Sequence, residues 1–154
     1  MSMKIRLTLI GLWLGAMAFF SFVVAPAAFA VLREQRQLAG EIVSRALGVL
    51  EITGMIIGAL LIVILIFSRE RAGKASFYEL IALALMTVSM VVSHFVVSKR
   101  MHEMRASIGE IAALAANDPN RIAFDRLHQY SVWLMGFNIL VAIALIIYLA
   151  RRNA

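Results

Sequence analysis

Four apolar runs, at residues 5–32, 46–68, 77–98 and 130–150, set the strongest constraint on what this chain can fold into. Each is near the length of about 20 residues that a helix needs to cross a hydrocarbon core. Inside a bilayer no water is available to the backbone, so such runs must satisfy their N–H and C=O groups within helices. The expectation is an all-α integral membrane fold: four transmembrane helices in a bundle, with helical extensions above the non-cytoplasmic face. Composition agrees, since 62% of residues are hydrophobic, 16% are charged and the mean hydropathy is +0.89. Soluble domains hold only about 45 to 50% apolar residues. The 154 residues are read as one domain spanning 1–154, too short for a second core. The chain has no cysteine, which excludes disulfides and thiolate metal sites. Its net charge of +6 comes from Lys and Arg gathered at the ends of apolar runs rather than interleaved with aromatics. That arrangement flanks a bilayer and argues against nucleic acid as a partner.

The first run has a competing reading as a secretory signal, because "MSMKIR" precedes an apolar stretch that ends in "AAFA". Its apolar stretch exceeds the usual signal core of about 7 to 15 residues, so a transmembrane helix is expected. Pro26 should kink that helix and release a backbone carbonyl. With four crossings, the N-terminus, the "SRERAGKAS" loop and the "RRNA" tail share one face. That face carries Lys4, Arg6, Arg69, Arg71, Lys74, Arg151 and Arg152, with Glu70 nearby. The opposite face mixes its bases with Glu34, Glu41, Glu103, Glu110, Asp118 and Asp125. The positive-inside rule then puts both termini in the cytoplasm, and a bacterial inner membrane is the expected location.

Helical spacing continues past the third run. From His94 the stripe Val97, Met101, Met104, Ile108, Ile111 and Ala115 advances in steps of three and four. A helical extension over 99–116 is expected, ended by "NDPN", or else an amphipathic helix lying on the interface. The fourth helix starts early, with Phe124, Leu127, Ser131, Leu134 and Asn138 on one face. The first connection keeps helical spacing around Gly40, with Glu41 and Arg45 placed as an i to i+4 pair.

Polar residues within these runs are the candidates for function. His94 shares the inward stripe, whereas His102 lies off it and should be solvated. Glu51 shares a face with Gly54 and Gly58, which allow close helix approach. His128 and Met135 are nearly aligned, with Asn138 deeper. Glu51, His94 and His128 therefore fall toward one side of the membrane and, with Ser131 and Asn138, define a polar pocket open to the non-cytoplasmic face. An ionisable side chain in a transmembrane helix costs about 2.5 to 3.5 kcal/mol on insertion scales, so it needs a partner or a task. The partner could be mutual, Glu51 with His94, or the carbonyl freed by Pro26; the task could be a ligand or proton site; snorkelling to the interface is the third option.

Methionine extends the functional reading. Met86, Met90 and His94 follow at intervals of four, Met55 lies one turn beyond Glu51, and Met135 lies below His128. Thioether and imidazole suit Cu(I), which makes His94, His128, Glu51, Met90 and Met135 a candidate metal set. The same methionines would equally serve as core gap-fillers. Haem between His94 and His128 is the other cofactor such a bundle could hold. Two small-residue pairs, Gly11 with Gly15 and Gly54 with Gly58, together with Pro26, are read as helix-packing positions. Trp13 and Trp133 are core or interface residues. No phosphate loop, nucleophile elbow or metalloprotease helix is present, which argues against a hydrolase or nucleotide enzyme.

The stretches "LWLGAMAFFSFVVAPAAFAVL", "AGEIVSRAL" and "FDRLHQYSVWLMGFN" resemble the bacterial four-helix membrane family of unknown function related to eukaryotic transmembrane protein 205. The most specific elements are the tryptophan and glycine before a phenylalanine-rich stretch ending in Ala25-Pro26, and Phe124-x-x-Leu127-His128-x-x-Ser131 followed by Asn138. That resemblance implies an integral membrane protein without established enzymatic activity, with eukaryotic relatives linked to platinum-drug resistance. The topology also resembles the copper-resistance protein D group, which includes haem-linked oxidases. Neither likeness assigns a ligand to His94. Three roles follow as expectations: a non-enzymatic protein handling a small solute or metal, a haem- or quinone-linked redox protein, and a scaffold that forms a homo-oligomer or joins another membrane protein.

Overall fold

A computed structural model describes residues 3–67 and 74–153. Among them there is no strand, and four helices are long and apolar enough to cross a membrane. We label these α1 (Met3–Val31), α2 (Arg36–Phe67), α3 (Ser76–Ile108) and α4 (Pro119–Asn153). The chain is a multi-pass membrane protein. The basic loop residues Arg69 and Arg71, with Glu70, lie outside the described residues.

The helices form a ring in chain order: α1 packs on α2 and α4, and α3 packs on α2 and α4. The ring interior is filled by Ile10, Trp13, Met17, Leu61, Leu83 and Met86, all buried. Large apolar side chains such as Leu12, Phe22, Val49 and Leu140 point outward instead. In water that would be a fault, but against acyl chains an outward leucine costs nothing, so polarity and size rather than hydrophobicity sort the inside from the outside. Trp13 belongs to the core, whereas Trp133 is exposed.

Close packing is concentrated at two glycines. A Cβ on Gly54 would sit 2.8 Å from Trp13 Nε1, and one on Gly58 would sit 2.1 Å from Thr87 Oγ1. The small-residue face of α2 thus receives Trp13 from α1 and Thr87 from α3, as its spacing suggests. The pair on α1 behaves differently. Gly11 and Gly15 have open space where a Cβ would stand, so they are not packing positions of the bundle. Their spacing matches the motif, but the helix presents that face away from its neighbours.

Two turns of π-helix interrupt the long helices, at Phe20–Val24 in α1 and at Ser93–Ser98 in α3. The first has a direct cause. Pro26 offers no N–H and its ring crowds the carbonyl four residues back, so the preceding turn widens and Ala25 N–H donates to Phe20 O, five residues back. Packing changes across this turn: Met3–Phe19 lies against both α4 and α2, while Ala25–Val31 lies against α2.

The third helix stops at Ile108 rather than continuing to Ala116. Gly109 takes φ 80°, which helical residues do not adopt, and a short 3-10 turn at Ile111–Ala113 follows. The expected extension is therefore helical only over its first part. "NDPN" works as a helix start: Asp118 Oδ1 accepts from Asn120 N–H at 2.8 Å, and Pro119 opens α4.

Arg6 also departs from expectation, since it is not a charge at the membrane flank. It is buried, and its Nη1 donates to both oxygens of the buried Glu79 at 3.1 Å. This ion pair fastens α1 to α3 at the end of the bundle where the chain termini lie.

Gly54→Ala should lower stability by about 1 to 3 kcal/mol, because the buried indole of Trp13 has nowhere to retreat. Gly15→Ala should be neutral or slightly stabilising. Thermal unfolding of the two variants in one detergent compares them directly, and equal midpoints would remove Gly54 as a packing point.

Candidate functional site: a buried carboxylate beside an open cleft

Glu51 is fully buried on α2, and its carboxylate receives three side chains from a single turn of α3. Ser93 Oγ donates to Oε1 at 2.5 Å, Ser98 Oγ donates to Oε1 at 3.1 Å and reaches Oε2 at 3.2 Å, and His94 Nδ1 lies 3.0 Å from Oε2. One proton lies between the imidazole nitrogen and the carboxylate oxygen, on one or the other.

The π-turn makes this convergence possible. On a regular helix, residues five apart are separated by about 140° around the axis, so Ser93 and Ser98 would diverge. Widening the turn to i to i+5 hydrogen bonding brings them onto one side, with His94 beside them. Four polar side chains thus satisfy each other inside an apolar bundle, which accounts for Glu51 without an exposed charge. Among the described residues its partners are α3 side chains, and not the carbonyl released by Pro26. His94 retains 26% side-chain exposure and stacks edge-on against Phe95, with ring centroids 4.9 Å apart.

One turn inward on α3, Ser89 Oγ accepts from Asn138 Nδ2 at 2.8 Å. Asn138 also donates to Leu134 O, and its buried Oδ1 has no hydrogen-bond partner among the described residues. This links α3 to α4 as Glu51 links α2 to α3.

Beside the carboxylate cluster, toward the end of the bundle that carries residues 109–118, lies a cavity of about 780 Å³. The second half of α1, the first turns of α2, the Ser98–Arg105 portion of α3 and the first half of α4 border it. Ser98 belongs to both features: it lines the cavity and donates to Glu51. Arg105 is held in the wall, where Nη1 donates to Gly40 O at 3.3 Å and to Ser44 Oγ, and its guanidinium lies 4.9 Å from the Phe124 ring centroid. Gly40 matters here, since a Cβ there would stand 3.0 Å from Arg105 Nη2.

The expected pocket residues divide between these two features. Glu51 and His94 meet directly. His128 and Ser131 line the cavity, while Asn138 faces Ser89, and no hydrogen bond joins His128 to Glu51 or His94 among the described residues. Met90 and Met135 are buried in the core cluster, and Met135 also lines the cavity. Among the described residues, no group of three or more His, Asp or Glu side chains is disposed to hold a metal ion.

Sequence reasoning missed Ser93, Ser98, Arg105, Arg6 and Glu79. For Arg105 a signal existed: it follows Met101 by four residues, so it continues the inward stripe. For Glu79 the signal was a carboxylate inside an apolar run, the same mark that singled out Glu51.

Removing the Glu51 acceptor strands two hydroxyls and an imidazole, so Glu51→Leu should cost about 1 to 3 kcal/mol, and His94→Leu less. The two losses should not add, with a coupling of about 0.5 to 3 kcal/mol in a double-variant unfolding cycle. Additive losses would mean that the 3.0 Å contact contributes nothing.

No curated protein and no solved structure matches the chain. A family model does match residues 8–110, a stretch that contains Glu51, its three α3 partners and Arg105, and that ends before α4. With most of its length matched, the chain belongs to the family described as a domain of unknown function, DUF4149.

Proposed function

We propose that this is a non-enzymatic protein of the bacterial inner membrane that takes a small solute into its cleft from the non-cytoplasmic side. What carries the reading is the cavity of about 780 Å³ with a fixed guanidinium, Arg105, in its wall. Ser98 ties that cavity to a buried carboxylate, so a solute in the cleft would lie one hydroxyl away from the Glu51–His94 pair. A concave, largely apolar site with a few placed polar groups is the usual form of a small-molecule site.

A solute fits better than a metal, because the imidazole of His94 is engaged by Glu51 and Met90 is buried in the core, which leaves His128 and Met135 as the members of that donor set lining the cleft. A haem-linked role would need His94 and His128 to serve one group, and they belong to separate features. The likeness to the transmembrane protein 205 relatives, with their link to drug resistance, is in keeping with handling a solute. Cytoplasmic termini are supported by Lys4, Arg151 and Arg152, which are exposed at the terminal end of the bundle.

The cysteine-free sequence makes the test direct. In intact cells with a permeabilised outer membrane, His128→Cys and Ser131→Cys should react with a membrane-impermeant maleimide, and Met86→Cys in the core should not. Reaction only after opening the inner membrane would reverse the orientation. Reaction of His128→Cys without Ser131→Cys would mean that the cleft is closed to water and solute.

A further inference from the structure

The cleft lies at a seam with unusual geometry. Up to Phe19, α1 packs on both α4 and α2; beyond the π-turn its continuation packs on α2. The space left between α1 and α4 is lined by Phe20, Phe22 and Phe29 on one side and by Val132, Gly136 and Ile139 on the other. Phe22 and Val132 are 74% and 55% exposed, so this apolar lining continues to the outer surface of the bundle, where acyl chains lie. Water gains little from such a wall, and an empty cavity forfeits its dispersion contacts, so an apolar chain is the species that fills it best.

The opposite end of the same cavity is basic. Arg36, Arg105 and Arg121 line it, against Glu110 and Asp125, and His102 and His128 stand beside them. A guanidinium has five N–H donors. Arg105 commits Nη1 to Gly40 and Ser44, and Arg121 commits Nη1 to Leu114 O at 2.7 Å. The remaining donors suit oxygens of a phosphate, which guanidinium groups bind through paired, charge-assisted hydrogen bonds.

Resting on the solute-cleft reading above, we propose that the occupant is a phospholipid with an anionic headgroup. Its acyl chain enters through the seam between α1 and α4, and its phosphate is held at Arg105 and Arg121. A free anion would leave the apolar wall unfilled. A zwitterionic lipid would fill the wall but oppose part of the phosphate charge with its own amine.

The test uses the purified full-length chain in a neutral detergent, titrated with phosphatidylglycerol, phosphatidylcholine or inorganic phosphate and read by native mass spectrometry. One equivalent of phosphatidylglycerol should be retained about tenfold or more tightly than phosphatidylcholine. Arg105→Gln should erase that preference, weakening phosphatidylglycerol retention by more than it weakens phosphatidylcholine retention. Should that variant fold poorly, Gly136→Leu supplies an independent arm. Gly136 lines the cavity and nothing lies within 4 Å of a Cβ there, so a leucine side chain starts in open space, takes up part of the cleft and should abolish retention of both lipids. Equal retention of the two lipids, retention unaffected by Gly136→Leu, or displacement of phosphatidylglycerol by inorganic phosphate would each overturn the proposal. If no lipid is retained while Ser131→Cys still reacts with maleimide, the lipid assignment alone falls. If Ser131→Cys is also inert, the solute-cleft reading falls with it.

Discussion

The hydrogen bonding of Glu51 is the interaction on which the cavity-bearing half of this bundle turns. A carboxylate at full burial among lipid-facing helices has no solvent to fall back on, so the neighbouring helix must supply every donor. Ser93, His94 and Ser98 do so from one turn, and the helix gives up its regular spacing there to let them. The position of α3 against α2 follows from this cluster at one level and from Gly58 and Thr87 at another. Arg105 then extends the same contact to the next level, holding the carbonyl of Gly40. Between them, these links fix two of the four walls of the cavity, those formed by α2 and α3.

Buried polar contacts occur at several heights and each joins a different pair of helices. Arg6 with Glu79 joins α1 to α3, Asn138 with Ser89 joins α4 to α3, and Glu51 with its partners joins α2 to α3. All converge on α3, whose inward face carries Ser76, Glu79, Ser89 and Ser93 among Leu83, Met86 and Met90. Dispersion forces alone do not choose a register between helices that are apolar all round. A hydrogen bond whose alternative is an unpaired polar group in hydrocarbon does choose one, and α3 acts as the common reference for the other three.

Much of this architecture was legible in the residues, and the failures have definite physical causes. Run length identified the four helices, and the pairing of Glu51 with His94 was one of the options the residues offered, because an ionisable group within an apolar run demands a partner or a task. Ser93 and Ser98 escaped because residues five apart do not share a face on a 3.6-residue helix, and nothing in their local sequence announces a widened turn. Arg6 was read as a flank charge because it lies near a run's edge; only the three-dimensional packing reveals a carboxylate at its depth. The length of α3 was overestimated because the apolar stripe continues through Ile111 and Ala115, whereas Gly109 redirects the backbone before the stripe ends. Periodicity records which face is apolar, and it is silent on whether the chain remains helical.

Ring order has a consequence for how the protein is made. Because α1 neighbours α4, the boundary between them joins the two helices most distant in sequence, and no loop tethers one to the other. During synthesis α1, α2 and α3 emerge first, and membrane lipid occupies the vacant flank until α4 arrives. Of the four boundaries this one spans the longest stretch of chain and so carries the largest loop-closure cost. Assembly therefore ends by shutting a door against molecules already standing in the doorway.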